Sequence, residues 1–105
     1  MVEGGERARR ELAEKLNLET ARLGWDELAR HFARGSVIRV AATLDLVAVA
    51  TAFASDDSEA VFRWLEGGEV AHADVDDARR WEQGRSTLWA VVVAPWVLVQ
   101  EAREA

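Results

Sequence analysis

LWAVVVAPWVLVQ, Leu88–Gln100, is the longest apolar run in the chain, interrupted by Pro95 and closed by Gln100. Three structures compete for it: a membrane segment, a buried strand, or an edge that binds a partner. A membrane-spanning helix needs about 20 apolar residues, and this run is too short even before its proline is considered. Valine dominates it, and a β-branched side chain is stiff at χ1 in a helix but packs well on a pleated surface. A strand over Leu88–Ala94 is therefore expected. Alternation puts Trp89, Val91 and Val93 on one face and Leu88, Ala90, Val92 and Ala94 on the other. Both faces are apolar, so the strand should be covered on both sides. Pro95 cannot donate to a ladder and belongs at an edge, a bulge or a strand end. Trp96–Val99 either continues the strand past a kink, the preferred reading, or Pro95 opens a short C-terminal helix.

What could cover such a strand lies upstream. Glu6 to Leu23 reads as a helix, with Leu12 and Leu16 a turn apart and the pairs Glu6–Arg10 and Glu11–Lys15 at i,i+4. Gly24 is its expected stop, and residues 1–5 are expected to be a flexible terminus. Trp25, Leu28, Ala29 and Phe32 then form one apolar stripe. Asp26 and Glu27 start that helix, Arg30 and Arg34 end it in accord with its dipole, and Gly35 stops it. Ser36–Ala41 reads as a strand. Thr43 is the expected N-cap of a largely buried helix from Leu44 to Ala54. Asp56 and Glu59 have capping-box spacing ahead of a helix over Asp57–Glu66, which Gly67-Gly68 ends. A strand over Glu69–Ala73 and a helix over Asp74–Gln83, capped by Asp74 and closed by Gly84, complete the series.

A chain of 105 residues, half of them hydrophobic, allows one domain with a real core. It has no cysteine, which excludes disulfides and thiolate chemistry and fits a reducing cytosol. The N-terminal stretch lacks the apolar core of a secretory signal, and a cytoplasmic location is expected. Residues 1–35 carry seven basic and seven acidic side chains, whereas residues 36–105 carry six and twelve, so the whole net charge of −6 lies there. Between Asp56 and Asp77 there are eight acids and one base, Arg63. Such a surface repels polyanions and keeps the chain soluble.

KLNLETARLGWDELARHFARG (Lys15–Gly35) and LWAVVVAPWVLVQE (Leu88–Glu101) resemble a family of small bacterial proteins, domain of unknown function 2288. The resemblance extends from about Leu12 to Glu101 and implies a compact stand-alone protein. It implies no activity, ligand or functional residue. LVAVATAFASDDSEAVFRWLEGGEV (Leu46–Val70) is similar to a helix-turn-helix with the first strand of a wing, so the element order looks like a winged helix. A helix over Asp74–Gln83 would then replace the usual wing tip. The N-terminal half of the recognition helix would offer Asp56, Asp57, Ser58 and Glu59 to DNA, which opposes phosphate contacts.

Residues able to do chemistry are few. His31 lies on the polar side of its helix. His72 precedes Asp74, Asp76 and Asp77, types that can bind divalent metals, yet the two later aspartates have a simpler role in a first helical turn. No metal, cofactor or catalytic residue is assigned, and neither a phosphate-binding glycine loop nor a G-x-S-x-G nucleophile motif is present. Trp25, Trp64 and Trp81 lie on apolar helix stripes. Trp89 and Trp96, on opposite sides of the strand register, are the candidates for a partner contact.

The expected fold is α+β: a small, mainly antiparallel three-stranded sheet packed by four or five helices, with an element order like that of a winged helix. The expected function is a non-catalytic cytoplasmic interaction module that homodimerises through Trp89, Val91, Val93 and Trp96. The alternative is a winged-helix DNA-binding regulator. Either the chain's own helices cover both faces of the strand, or a second chain covers one.

Overall fold

The computed structural model describes residues 2–102 and shows an α+β fold. Five helices pack on a mixed five-stranded sheet of order β1-β4-β5-β2-β3. The elements are α1 (Val2–Glu19), β1 (Ala21–Gly24), α2 (Trp25–Ala33), β2 (Val37–Val40), α3 (Leu46–Ala54), α4 (Ser58–Glu66), β3 (Val70–His72), α5 (Val75–Gln83), β4 (Thr87–Val93) and β5 (Trp96–Glu101). Three of the strand pairs are antiparallel, and β2 and β5 run parallel.

The decisive run folds back on itself. β4 and β5 form an antiparallel hairpin in which Val93 faces Trp96, leaving Ala94-Pro95, joined by a cis peptide bond, as the two-residue turn. The expected strand ends where it should, but Trp96 begins a new strand instead of continuing the old one. Pro95 lacks an amide hydrogen, and a turn position needs none.

The hairpin forms the middle of the sheet and is covered on both faces by the chain's own helices. Leu88, Ala90, Val97 and Val99 face one layer, where they meet Val37, Leu28 of α2 and Trp81 of α5. Val91 and Leu98 face the other, against Leu16 of α1, Leu46, Val49 and Ala50 of α3, and the strand residues Ile38, Val40 and Val70. Trp64 of α4 packs at the border of this second cluster. Alternation along β5 therefore feeds two cores, and Leu98 and Val99 are both fully enclosed.

The sheet has two more strands than expected. Ala21–Leu23, the expected last turn of the first helix, and Gly24, its expected stop, instead form an edge strand, with Leu23 opposite Leu88. The helix ends where the Thr20 hydroxyl donates to the Leu16 carbonyl at 2.8 Å, a local bond that competes with continued helix. At the other end, α1 is assigned from Val2, so the glycine pair at 4–5 falls within its span. Gly24 stops no helix: it is extended at the N-cap of α2. The winged arrangement is not formed, since β3 pairs with β2 rather than with β4.

Four helices end in one motif. After α2, the Gly35 amide donates to Phe32 O and the Ser36 amide to His31 O, with Gly35 at φ +74°. This is a Schellman closure, which needs a left-handed residue after the cap. Gly68 fills that position after α4, but Asp56 (φ +56°) and Arg85 (φ +49°) fill it after α3 and α5. At the start of α3, Asp45 rather than Thr43 is the cap, accepting from the Val47 and Ala48 amides.

Candidate interaction cleft

One region of the sheet's α1/α3/α4 face is left open. Beyond the C-terminal end of α3, Ile38, His72, Val93 and Trp96 form the floor of a cleft of about 550 Å³. Its wall is the α3–α4 connection: Phe53, Asp56-Asp57-Ser58, Val61 and Leu65. The mouth is closed at one side by Ala94-Pro95. Local structure places each piece. The short turn brings Val93 and Trp96 side by side, and Trp96 meets the His72 ring edge-on at 5.4 Å between centroids. Asp57 caps α4 by accepting from the Ala60 amide, and Arg9 of α1 approaches it at 3.4 Å. Asp56 points from the left-handed closure of α3 and makes no ion pair among the described residues.

Along its length, α4 keeps no residue fully buried. It leaves Phe62 61 % and Leu65 46 % exposed. An amphipathic helix that packs one stripe through Val61 and Trp64 would normally turn polar residues outward. Instead it adds apolar surface next to an apolar cleft.

The four residues expected at a partner surface are split by the structure. Val91 is only 1 % exposed inside the second core, so it cannot meet a partner. The burial comes from α1 and α3, which the alternation pattern could not place. Val93 and Trp96 are partly buried and belong to the cleft. Trp89 is 40 % exposed, away from them at the other end of β4, with the Arg22 guanidinium 4.9 Å from its ring centroid. The patch in the sense of four contiguous residues does not exist; two of the four come together.

A charged cluster that the sequence did not single out lies on the opposite face. Asp77, only 1 % exposed, binds the Arg39 guanidinium of β2 and receives Arg80 at 2.9 Å and the Asp74 amide at 3.0 Å. Arg80 also donates to Glu101 of β5 at 2.8 Å, and Glu101 accepts from the Trp81 indole at 2.9 Å. Burial opposes ionisation of Asp77, but hydrogen bonds from Arg39, the Asp74 amide and Arg80 outweigh it, holding its carboxyl below the usual range. Glu101 is likewise lowered: burial is outweighed by hydrogen bonds from Trp81 and Arg80. The same two acids raise Arg80. Each charge is matched within the cluster, so the arrangement clamps α5 to β2 and β5. The available signal was Arg39, a lone charge in the apolar strand VIRV.

Among the described residues, no three His, Asp or Glu side chains gather as a metal site. Of the group weighed from sequence, His72 with Asp74, Asp76 and Asp77, His72 faces the cleft whereas Asp77 points into the charge cluster. Among the same residues, every buried side-chain nitrogen and oxygen has a hydrogen-bond partner. No helix there is long and apolar enough to cross a membrane.

A family model described as "Protein of unknown function (DUF2288)" matches residues 11–101. The solution NMR structure of PA1075 from Pseudomonas aeruginosa is similar at 50% identity, with a TM-score of 0.79. The match covers 90% of this chain and 87% of that one. No curated protein matches the chain.

Proposed function

Because the chain belongs to the DUF2288 family, whose description assigns no chemistry, we propose a function from its own surface: a non-catalytic protein-interaction module that docks its partner in the cleft between the α3–α4 hairpin and the β4–β5 turn. The observation that carries this reading is the open apolar cleft with the exposed Leu65 in its wall and the exposed Phe62 one helical turn before it on α4. An open concave site lined mainly by apolar side chains, with exposed apolar residues beside it, is the usual mark of a docking site. Two further features support a binding rather than a catalytic role. The polar interior is internally satisfied among the described residues, and the strongest charge perturbations sit in a matched clamp rather than in the cleft. The acid excess of residues 36–105 supports a partner other than nucleic acid.

Self-association through the C-terminal strands could not use Val91, which is enclosed, and would draw on the hairpin turn with Trp96 or on the exposed Trp89 and Val92. A photo-crosslinking p-benzoylphenylalanine at Leu65, in cells of the native host, tests docking directly. Adducts are expected there and not from the same group at Val75, an exposed position on α5 across the sheet. Adducts of the chain with itself would assign the cleft to a homodimer. Equal labelling from both positions would sink the proposal.

A further inference from the structure

We propose that the cleft takes a cationic amphipathic segment of another protein, one that inserts a large apolar side chain and sets lysine or arginine on the rim. This rests on the docking role proposed above and adds the chemistry of the occupant. The floor and wall are apolar: Ile38, Phe53, Val61, Leu65, Val93 and Trp96. A volume of about 550 Å³ accepts more than one large side chain.

The charge in the lining is acidic: Asp56 and Asp57 sit in the wall, with Glu59 beside them in the first turn of α4. Asp57 is matched within the fold, since it meets Arg9 of α1. Asp56 and Glu59 have no ion pair among the described residues. Asp56 is the more telling of the two. It occupies the left-handed position after α3 that glycine fills after α2 and α4, which puts a carboxylate on the cleft where glycine would put none.

A second copy of this chain fits less well. The net charge of −6 makes two copies repel, whereas complementary charge speeds and orients docking of a basic partner. A helix with apolar anchors at i, i+3 and i+4 and basic residues beside them presents this complement.

The test uses the whole chain with two probes, a synthetic Leu/Lys amphipathic peptide and its Leu/Glu counterpart. Binding is followed by tryptophan fluorescence and by NMR shifts of His72, Val93 and Trp96. The Leu/Lys peptide should bind with shifts confined to the cleft, and its affinity should fall about tenfold between low and high salt. Asp56→Asn with Glu59→Gln should weaken it several-fold, and so should Leu65→Ala. Asp26→Asn with Glu27→Gln, which removes the same charge from α2, should not. Circular dichroism checks that each variant is folded; Leu65, Asp56 and Glu59 are exposed, so folding should survive. Equal binding of the Leu/Glu peptide in the cleft would overturn the charge inference while leaving docking intact. Leu/Lys shifts spread over the whole acidic surface, or equal weakening by the α2 variant, would likewise overturn it. Absence of cleft shifts with either peptide would remove the docking reading as well.

Discussion

Asp77 shows how much one side chain can decide. It is a carboxylate shut from water, held by two arginines and a backbone amide, and it also completes the capping box of α5 with Asp74. Its loss breaks the α5 capping box and leaves the partly solvated Arg39 and Arg80 without their carboxylate, so Asp77→Ala should lose about 1–3 kcal/mol in urea unfolding. The pH dependence follows from the lowered values of Asp77 and Glu101. A depressed folded pKa gives stability that is complete above the unfolded carboxylate range, about 3.9–4.3, and drains away as pH falls through the folded values. The melting temperature of the wild type should therefore drop on acidification below that range. Asp77→Asn, already less stable at neutral pH, should show a flatter acid limb. An unchanged slope would mean that Asp77 does not carry the effect.

At the scale of elements, the helix ends are the most legible part of the chain. Gly35 and Gly67-Gly68 are read correctly as stops because the left-handed position of a Schellman closure selects glycine. Gly84 is read as a stop too, and the helix does end there, but the left-handed residue is Arg85. A side chain at that position costs about 1 kcal/mol that glycine would not. Arg85→Gly should thus raise stability by up to about 1 kcal/mol, and Gly35→Ala should lower it by a similar amount. Thermal melts of the two variants, moving in opposite directions, would check both. The strands were harder to read. LWAVVVAPWVLVQ contains no Asn-Gly or Gly-Gly pair at its centre, so its two-residue turn lacked the usual mark. ARLG has neither alternation nor length; only pairing with β4 makes it a strand.

At the scale of the molecule, β4 and β5 lie inside a three-layer packing. Most of the apolar surface that raised the prospect of a dimer is covered by α2 and α5 on one side and α1 and α3 on the other, with Trp89 and Val92 left exposed. With two cores built from one chain, we expect the fold to stand without a second copy. Its melting temperature should stay constant over about a hundredfold range of protein concentration, whereas an obligate dimer would melt higher as concentration rises. Calorimetry across that range decides it.

The sequence by itself determined the α+β class, the positions of α2 to α5 within a few residues, the strand character of the C-terminal run and the acid excess of its middle. These are local properties: apolar spacing, β-branched content, caps and net charge are each written in a short window. Tertiary structure alone decided that the run is a hairpin, that Ala21–Gly24 joins the sheet, that Arg39 meets Asp77, and that Val93 and Trp96 share a cleft while Val91 is enclosed. Each of these depends on which distant segment comes alongside, and burial of one face against a partner far along the chain leaves no periodic trace in the window itself.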